Sequence, residues 1–145
     1  MLFRSRLAAT ILQLSHDRSV GNRFCALSTD GTIYTSTNNG TTWSATGYIP
    51  TSKGERGQIA AAFNNVYAAT AAGVLKSEDN GSTWANTSVT GIAHSFAWNY
   101  AADRLKAGLG NSVVSSAGGD FVGETTLGIG APAAVYVDRS EEPHV

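Results

Sequence analysis

Cleaving a glycosidic bond takes two carboxylates at a set separation, one to protonate the leaving oxygen and one to serve as base or nucleophile. The chain offers 11 Asp and Glu residues in 145. Asp17, Asp30, Glu78, Asp79, Asp103 and Asp120 fall in turn-like runs rich in Gly, Asn and Ser, and Asp138, Glu141 and Glu142 crowd the C-terminus. Neither these nor Glu55 and Glu124 stand in a catalytic context, so no catalytic residue is expected. His16, His94 and His144 lie too far apart for metal-ligand spacing, and no metal is expected. GLGNSV at 108–113 resembles a dinucleotide loop only until its end, where no helix follows. GYIPTSKGERG at 47–57 lacks phosphate-loop spacing and reads as a long loop with Lys53, Glu55 and Arg56 in solvent, open to a ligand contact. No cofactor is implied. What remains is recognition. A glycan needs an aromatic platform flanked by polar groups, and Tyr48, Trp98 and Tyr100 are the candidates, with packing inside a sheet as the competing role.

These side chains need a scaffold, and the bulk properties limit what it is. Net charge is −1 with only 14% charged residues, so no basic stripe is available for nucleic acid. No apolar run approaches the ~20 residues of a membrane-spanning helix. The surplus of Gly, Ala, Ser, Thr and Asn suits tight-turned β-structure and an extracellular, cell-surface or virion setting. Cys25 is the sole cysteine and reads as a small buried apolar residue on a strand. MLFRSR followed by LAATILQL has the outline of a very short signal peptide, but Gln13 interrupts it and no A-x-A site follows closely. The alternative is a first strand over residues 10–15.

The strongest signal is a repeat. STNNGTTW at 36–43 and SEDNGSTW at 77–84 lie 41 residues apart. Each follows an apolar stretch, a turn, and a strand–turn–strand run: RFCALSTDGTIYT before the first, NVYAATAAGVLK before the second. A worn third copy runs through SFAWNYAADRLKAGLGNSVVSSAGGDF, with Phe121 where Trp stood. Alternation within TIYTS and the Asn-Gly and Asp-Gly turns mark strands and hairpins. IAHSFAWNYAADRLKAG has helix-forming composition, but its apolar residues keep no 3.6 period and the repeat makes it a hairpin. The chain is therefore expected to be one all-β domain, a partial β-propeller of about three four-stranded antiparallel blades at roughly 8–48, 58–90 and 92–128. Residues 131–138 (APAAVYVD) alternate as a strand would, either of a fourth blade or pairing with a partner.

The two boxes resemble the Asp-box, or BNR, repeat S-x-D-x-G-x-x-W of sialidases, sortilin-type receptors and phage tail proteins. Ser77, Asp79, Gly81 and Trp84 match throughout; Ser36, Asn38, Gly40 and Trp43 match with Asn for Asp; the third copy has lost the pattern. The resemblance implies fold staples on the propeller's outer rim, away from any central site. The Asp or Asn accepts turn N–H groups, the Gly takes positive φ, and both Trp side chains are expected to be largely buried at equivalent positions. The Arg-Ile-Pro string that opens sialidase domains is absent; Tyr48-Ile49-Pro50 lacks the Arg. The expected role is a non-catalytic structural or binding module in a larger assembly, such as a virion, phage tail or bacterial surface component. A carbohydrate-binding module and a fragment or accessory domain of a sialidase-like hydrolase are the alternatives. Because three blades do not close a ring, the expected partner is a second copy or another protein completing the propeller, with a glycan as the other candidate.

Overall fold

The computed structural model describes residues 9–49, 58–100, 102–109 and 112–126. The strand proposed at 131–138, the loop at 50–57 and the first eight residues lie outside them. The described chain folds into three four-stranded antiparallel sheets, each a meander in chain order. The first holds β1 (Ile11–His16), β2 (Phe24–Ser28), β3 (Thr32–Ser36) and β4 (Ser44–Tyr48). The second holds β5 (Gln58–Ala62), β6 (Asn65–Thr70), β7 (Gly73–Ser77) and β8 (Ala85–Thr90). The third holds β9 (Ala93–Asn99), β10 (Arg104–Leu109), β11 (Ser112–Ser116) and β12 (Val122–Thr126). The helix-prone stretch is the β9–β10 hairpin, with Trp98 opposite Leu105 and Phe96 opposite Ala107. Pairing puts those four side chains on one sheet face, where they join the core.

The sheets stack face to face as blades. One apolar cluster joins blades one and two through Cys25, Leu27 and Ile33 on one side and Ile59, Ala61, Val66, Ala68 and Leu75 on the other. A second joins blade two, through Ala60, Ala62, Tyr67, Ala69 and Val74, to Leu105, Ala107, Val114 and Phe121 of blade three. Blade two is thus covered on both faces, which is why NVYAAT carries an unbroken apolar run and not an alternation. Burying Ile33, Ile59 or Val66 contributes about 1.5–3 kcal/mol each.

Register makes the blades equivalent position by position. On the face turned to the preceding blade, here called the leading face, one row reads Leu14–Ala26–Tyr34, Ile59–Ala68–Leu75 and Phe96–Ala107–Val114. The next row reads His16–Phe24–Ser36, Ala61–Val66–Ser77 and Trp98–Leu105–Ser116. On the opposite, trailing face, Gln13–Leu27–Ile33 corresponds to Gln58–Ala69–Val74 and Ser95–Gly108–Val113. The innermost strands are tied together by side chains. Gln13 donates from Nε2 to the Ile59 carbonyl at 2.8 Å and accepts from the Ile59 N–H at 2.7 Å. Ser15 accepts from the Ala61 N–H at 2.9 Å, and Gln58 repeats the device by accepting from the Phe96 N–H. Each tie satisfies a main-chain group that a sheet edge would leave open.

Candidate functional site

The two box hairpins are built by one hydrogen-bond scheme. A buried serine at the end of the third strand is the hub: Ser77 Oγ donates to Asp79 Oδ1 at 2.8 Å and accepts from the Gly81 N–H at 2.7 Å. Ser36 does the same with Asn38 Oδ1 and the Gly40 N–H, at 2.9 and 2.8 Å. Across the loop, Asp79 accepts from the Thr83 N–H and the Thr83 hydroxyl at 2.8 and 2.6 Å. Asn38 accepts the Thr42 N–H at 2.9 Å but gives its amide to the Thr42 hydroxyl. The hydroxyl of Thr83 first, then its N–H and the Ser77 hydroxyl, lower the Asp79 pKa to about 2. Asn80 and Gly81 turn the chain at φ of 60° and 92°, as Asn39 and Gly40 do at 59° and 80°.

Trp43 and Trp84 stand at the same point of their hairpins and are both partly buried. Their contacts differ. Trp84 packs on the cluster between blades one and two, and its Nε1–H donates to the Tyr48 carbonyl of blade one at 2.8 Å. Trp43 instead bonds the Gly40 carbonyl of its own hairpin at 3.0 Å. The reason is position: the hairpin of blade two has blade one to lie on. Its turn sits against β4, with the Tyr48 N–H on the Gly81 carbonyl at 3.1 Å, the Thr46 hydroxyl on the Asn80 carbonyl at 2.8 Å and the Ser82 hydroxyl on the Thr46 carbonyl at 2.8 Å. Gly47 makes this approach feasible, since a Cβ there would fall 2.1 Å from the Gly81 carbonyl carbon. The box is a seam between blades as well as a staple within one.

The third copy keeps more of the scheme than its sequence shows. Ser116 occupies the hub position, buried, accepting from the Gly118 N–H at 3.1 Å and donating to the Gly119 carbonyl at 2.7 Å. Asp120 reaches across the seam to the Ser88 N–H at 3.0 Å, and that bond, then the Phe121 N–H, holds its carboxyl below the usual carboxylate range. Phe121 is buried edge-on against Tyr67 at 5.6 Å. A shorter loop hid the serine, which lies two residues closer to Phe121 than a strict eight-residue box allows for.

A buried ion pair escaped the sequence reading altogether. Asp17 accepts from Arg23 Nη1 at 2.8 Å, from the Ser19 N–H and hydroxyl at 3.0 and 2.7 Å, and from the Asn64 N–H of blade two at 2.9 Å. Arg23 Nη2 donates to Asn80 Oδ1 at 2.7 Å. The pair therefore clamps blade one to the box turn of blade two. A seven-residue loop with one acid and two bases gave no sign of this partner 57 positions away.

The aromatic candidates do not form one platform. Tyr48 lies opposite Thr32, at the β2–β3 turn end of blade one, half exposed over Gly31. Trp98 lies opposite Leu105 at the box-turn end of blade three, its ring 5.2 Å from Phe63. Tyr100 follows it and holds the Arg18 guanidinium 4.4 Å above its ring, a bridge from blade three to the β1–β2 loop. A shallow pocket of about 100 Å³ opens between the innermost strands, lined in part by Ser15, His16, Ala61, Phe96 and Trp98. Cys25 is buried on β2 as expected, and burial raises its thiol pKa. Among the described residues no cluster of His, Cys, Asp and Glu could hold a metal ion.

The sequence matches no family model and no curated protein. Among solved structures it is similar to YCF48 from Cyanidioschyzon merolae, at 16% identity and a TM-score of 0.53 over 92% of this chain and 48% of that one. It is also similar to YCF48 bound to D1 peptide, at 13% identity and a TM-score of 0.50 over 87% of this chain and 43% of that one. An ancestral GH74 enzyme gives a weaker likeness, at 19% identity and a TM-score of 0.46 over 80% of this chain and 18% of that one. The chain spans less than half the length of the YCF48 chains it matches. With three stacked four-stranded meanders and the two YCF48 neighbours, the fold is that of a β-propeller.

Proposed function

We propose that the chain is a non-catalytic β-propeller module, acting as a structural or binding part of a larger assembly. The observation that carries this is the state of four carboxylates among the described residues. Asp79 and Asp120 are committed to the box turns, and Asp30 to the β2–β3 turn through the Ser28 hydroxyl and the Thr32 N–H. All three are held below their ordinary pKa. A general acid for glycoside cleavage is tuned the other way, upward by burial. Asp17 is consumed by Arg23. The hub-and-turn geometry supports placing the chain with the Asp-box propellers, and the small-polar composition suits a virion, phage tail or bacterial surface setting. That YCF48 is seen bound to D1 peptide is in keeping with a propeller that works by binding. A panel of fluorogenic sialosides and other glycosides tests the reading: the purified chain leaves them at the buffer rate. Turnover that persists through repurification and disappears on replacing one described carboxylate would restore the hydrolase-fragment alternative.

Glycan binding is a second reading, favoured by one observation. Trp98 lines the pocket between the innermost strands together with Ser15 and His16. A ring stacked on an indole, with a donor and acceptors beside it, is how neutral sugars are held. A glycan array answers it, with Trp98→Ala abolishing any signal due to this pocket.

A further inference from the structure

The dipeptide Asn-Gly occurs twice in the sequence, at Asn39-Gly40 and Asn80-Gly81, each time at the turn of a box hairpin. This is the pair in which asparagine loses its side-chain amide most readily, because glycine has no Cβ to obstruct its own nitrogen. Hydroxide takes the proton of the Gly N–H, and the freed nitrogen attacks the asparagine Cγ. The Cγ–Nδ2 bond breaks, the departing nitrogen takes a proton from water and leaves as ammonia, and a succinimide ring closes between side chain and main chain. Water then opens the ring at one of its two carbonyls. Opening at Cγ gives aspartate. Opening at the main-chain carbonyl gives isoaspartate, whose main chain runs through Cβ and Cγ and is longer by one methylene. The net change consumes water and releases ammonia, with no oxidant and no cofactor.

The two turns share one guard and differ in a second. In both, the glycine N–H is held by the hub serine, Gly40 on Ser36 Oγ at 2.8 Å and Gly81 on Ser77 Oγ at 2.7 Å. That bond must open before the nitrogen can lose its proton, so the reaction runs through local opening of the hairpin. What opening requires is not the same. Asn80 Oδ1 accepts from Arg23 Nη2 at 2.7 Å, and Arg23 is itself buried and fixed on Asp17, so the side chain that would have to swing onto Gly81 is tethered to blade one. The main chain is tethered too, with the Asn80 carbonyl on the Thr46 hydroxyl and the Gly81 carbonyl on the Tyr48 N–H, and Gly81 is buried. At the first box, Asn39 is exposed and Gly40 only partly buried. Its ties stay inside blade one: the Asn39 N–H on the Asn22 carbonyl and the Gly40 carbonyl on Trp43 Nε1. We propose that Asn39 is a site of spontaneous covalent modification, converted to aspartate and isoaspartate in the folded chain, and that blade one keeps the identical dipeptide at Asn80 in its amide form. The added charge and the longer main chain then fall on the box of blade one, and the seam between blades one and two is spared.

The test uses the full chain, held in mildly alkaline buffer and sampled over time. Trypsin separates the two sites into the peptides 24–53 and 77–104, and mass spectrometry with electron-transfer fragmentation locates each lost amide and tells isoaspartate from aspartate. Asn39 is expected to convert about ten-fold faster than Asn80 or more, the ratio set by a charge-assisted hydrogen bond and the contacts beside it. In denaturing urea the two rates are expected to converge, since both sites then read simply as Asn-Gly followed by a hydroxyl residue. Thr46→Val removes one tie of the second turn from the partly buried face of β4, and is expected to raise the Asn80 rate while leaving that of Asn39 unchanged. Equal rates in the folded chain overturn the proposal, as does faster conversion at Asn80. A ratio that survives in urea overturns it as well, by assigning the difference to neighbouring sequence and not to the fold. An Asn80 rate indifferent to Thr46→Val removes blade one as its guard. None of these outcomes bears on the glycoside assay, so failure here is told apart from failure of the proposed function.

Discussion

Asp79 and Asn38 differ by one atom type at the same point of the same turn, and the difference is testable. The carboxylate of Asp79 accepts from three groups of its own hairpin, while the amide of Asn38 must spend one side as a donor. Charge-assisted hydrogen bonds are the stronger kind. Asp79→Ala is therefore expected to lower the melting temperature by more than Asn38→Ala does; equal shifts, or none, in differential scanning fluorimetry would show that the turn does not rely on its acid. The pH dependence follows from the depressed pKa. With a folded value of about 2 against an ordinary 3.8, Asp79 contributes fully at neutral pH, and its contribution is lost as pH falls from about 4 towards 2. Asp30 and Asp120 are shifted in the same direction and add to the same acid limb. The melting temperature of the wild type is expected to drop over that window, and the drop to be shallower in Asp79→Asn. Gly81 makes a third residue-scale case. At φ +92°, with a Cβ due 2.9 Å from Ile33 Cδ1, Gly81→Ala is expected to cost at least about 1–2 kcal/mol, read from the denaturant midpoint.

At the scale of elements, the strands and hairpins were legible because each announces itself locally. Alternation in TIYTS, Asn-Gly at the box turns and Gly or Asn at positive φ are all properties of a few consecutive residues. What could not be read was anything that depends on register between elements. The 41-residue period of the boxes becomes 45 at the innermost strands, where Gln13 answers to Gln58, because the intervening turns and loops differ in length. The same drift concealed Ser116. Of the residues proposed for a glycan, only Trp98 lines the pocket between innermost strands, and its neighbours Ser15 and His16 come from a strand more than 80 positions earlier, which no local pattern connects. The Asp17–Arg23 clamp was invisible for the same reason, and it is where an element-scale prediction bears most weight. Both side chains are nearly inaccessible, at 0% and 3%. Removing one partner leaves a buried charge uncompensated, a loss of about 3–5 kcal/mol. Asp17→Ala is expected to fall in that range by urea unfolding, and a value near the ~1 kcal/mol ceiling of a surface ion pair would mean that Arg23 finds water or another acceptor.

The whole molecule behaves as a short one-dimensional stack, each blade stabilised by what it covers and what covers it. In a single chain, blade two is covered on both faces, and every residue of β6 except Asn65 is buried. Blade one is covered on one face only, with Leu12 and Leu14 open. Local opening should follow that order, since exchange of a main-chain N–H reports how much packing must be broken to expose it. Hydrogen exchange of the chain is expected to be slowest in β6 and β7 and faster throughout β1 and β3, since the row Leu14–Ala26–Tyr34 has Leu14 open where blade two buries Ile59 in Ile59–Ala68–Leu75. Uniform protection across the three blades would mean that the described residues unfold only as one unit and that the stacking order carries no gradient.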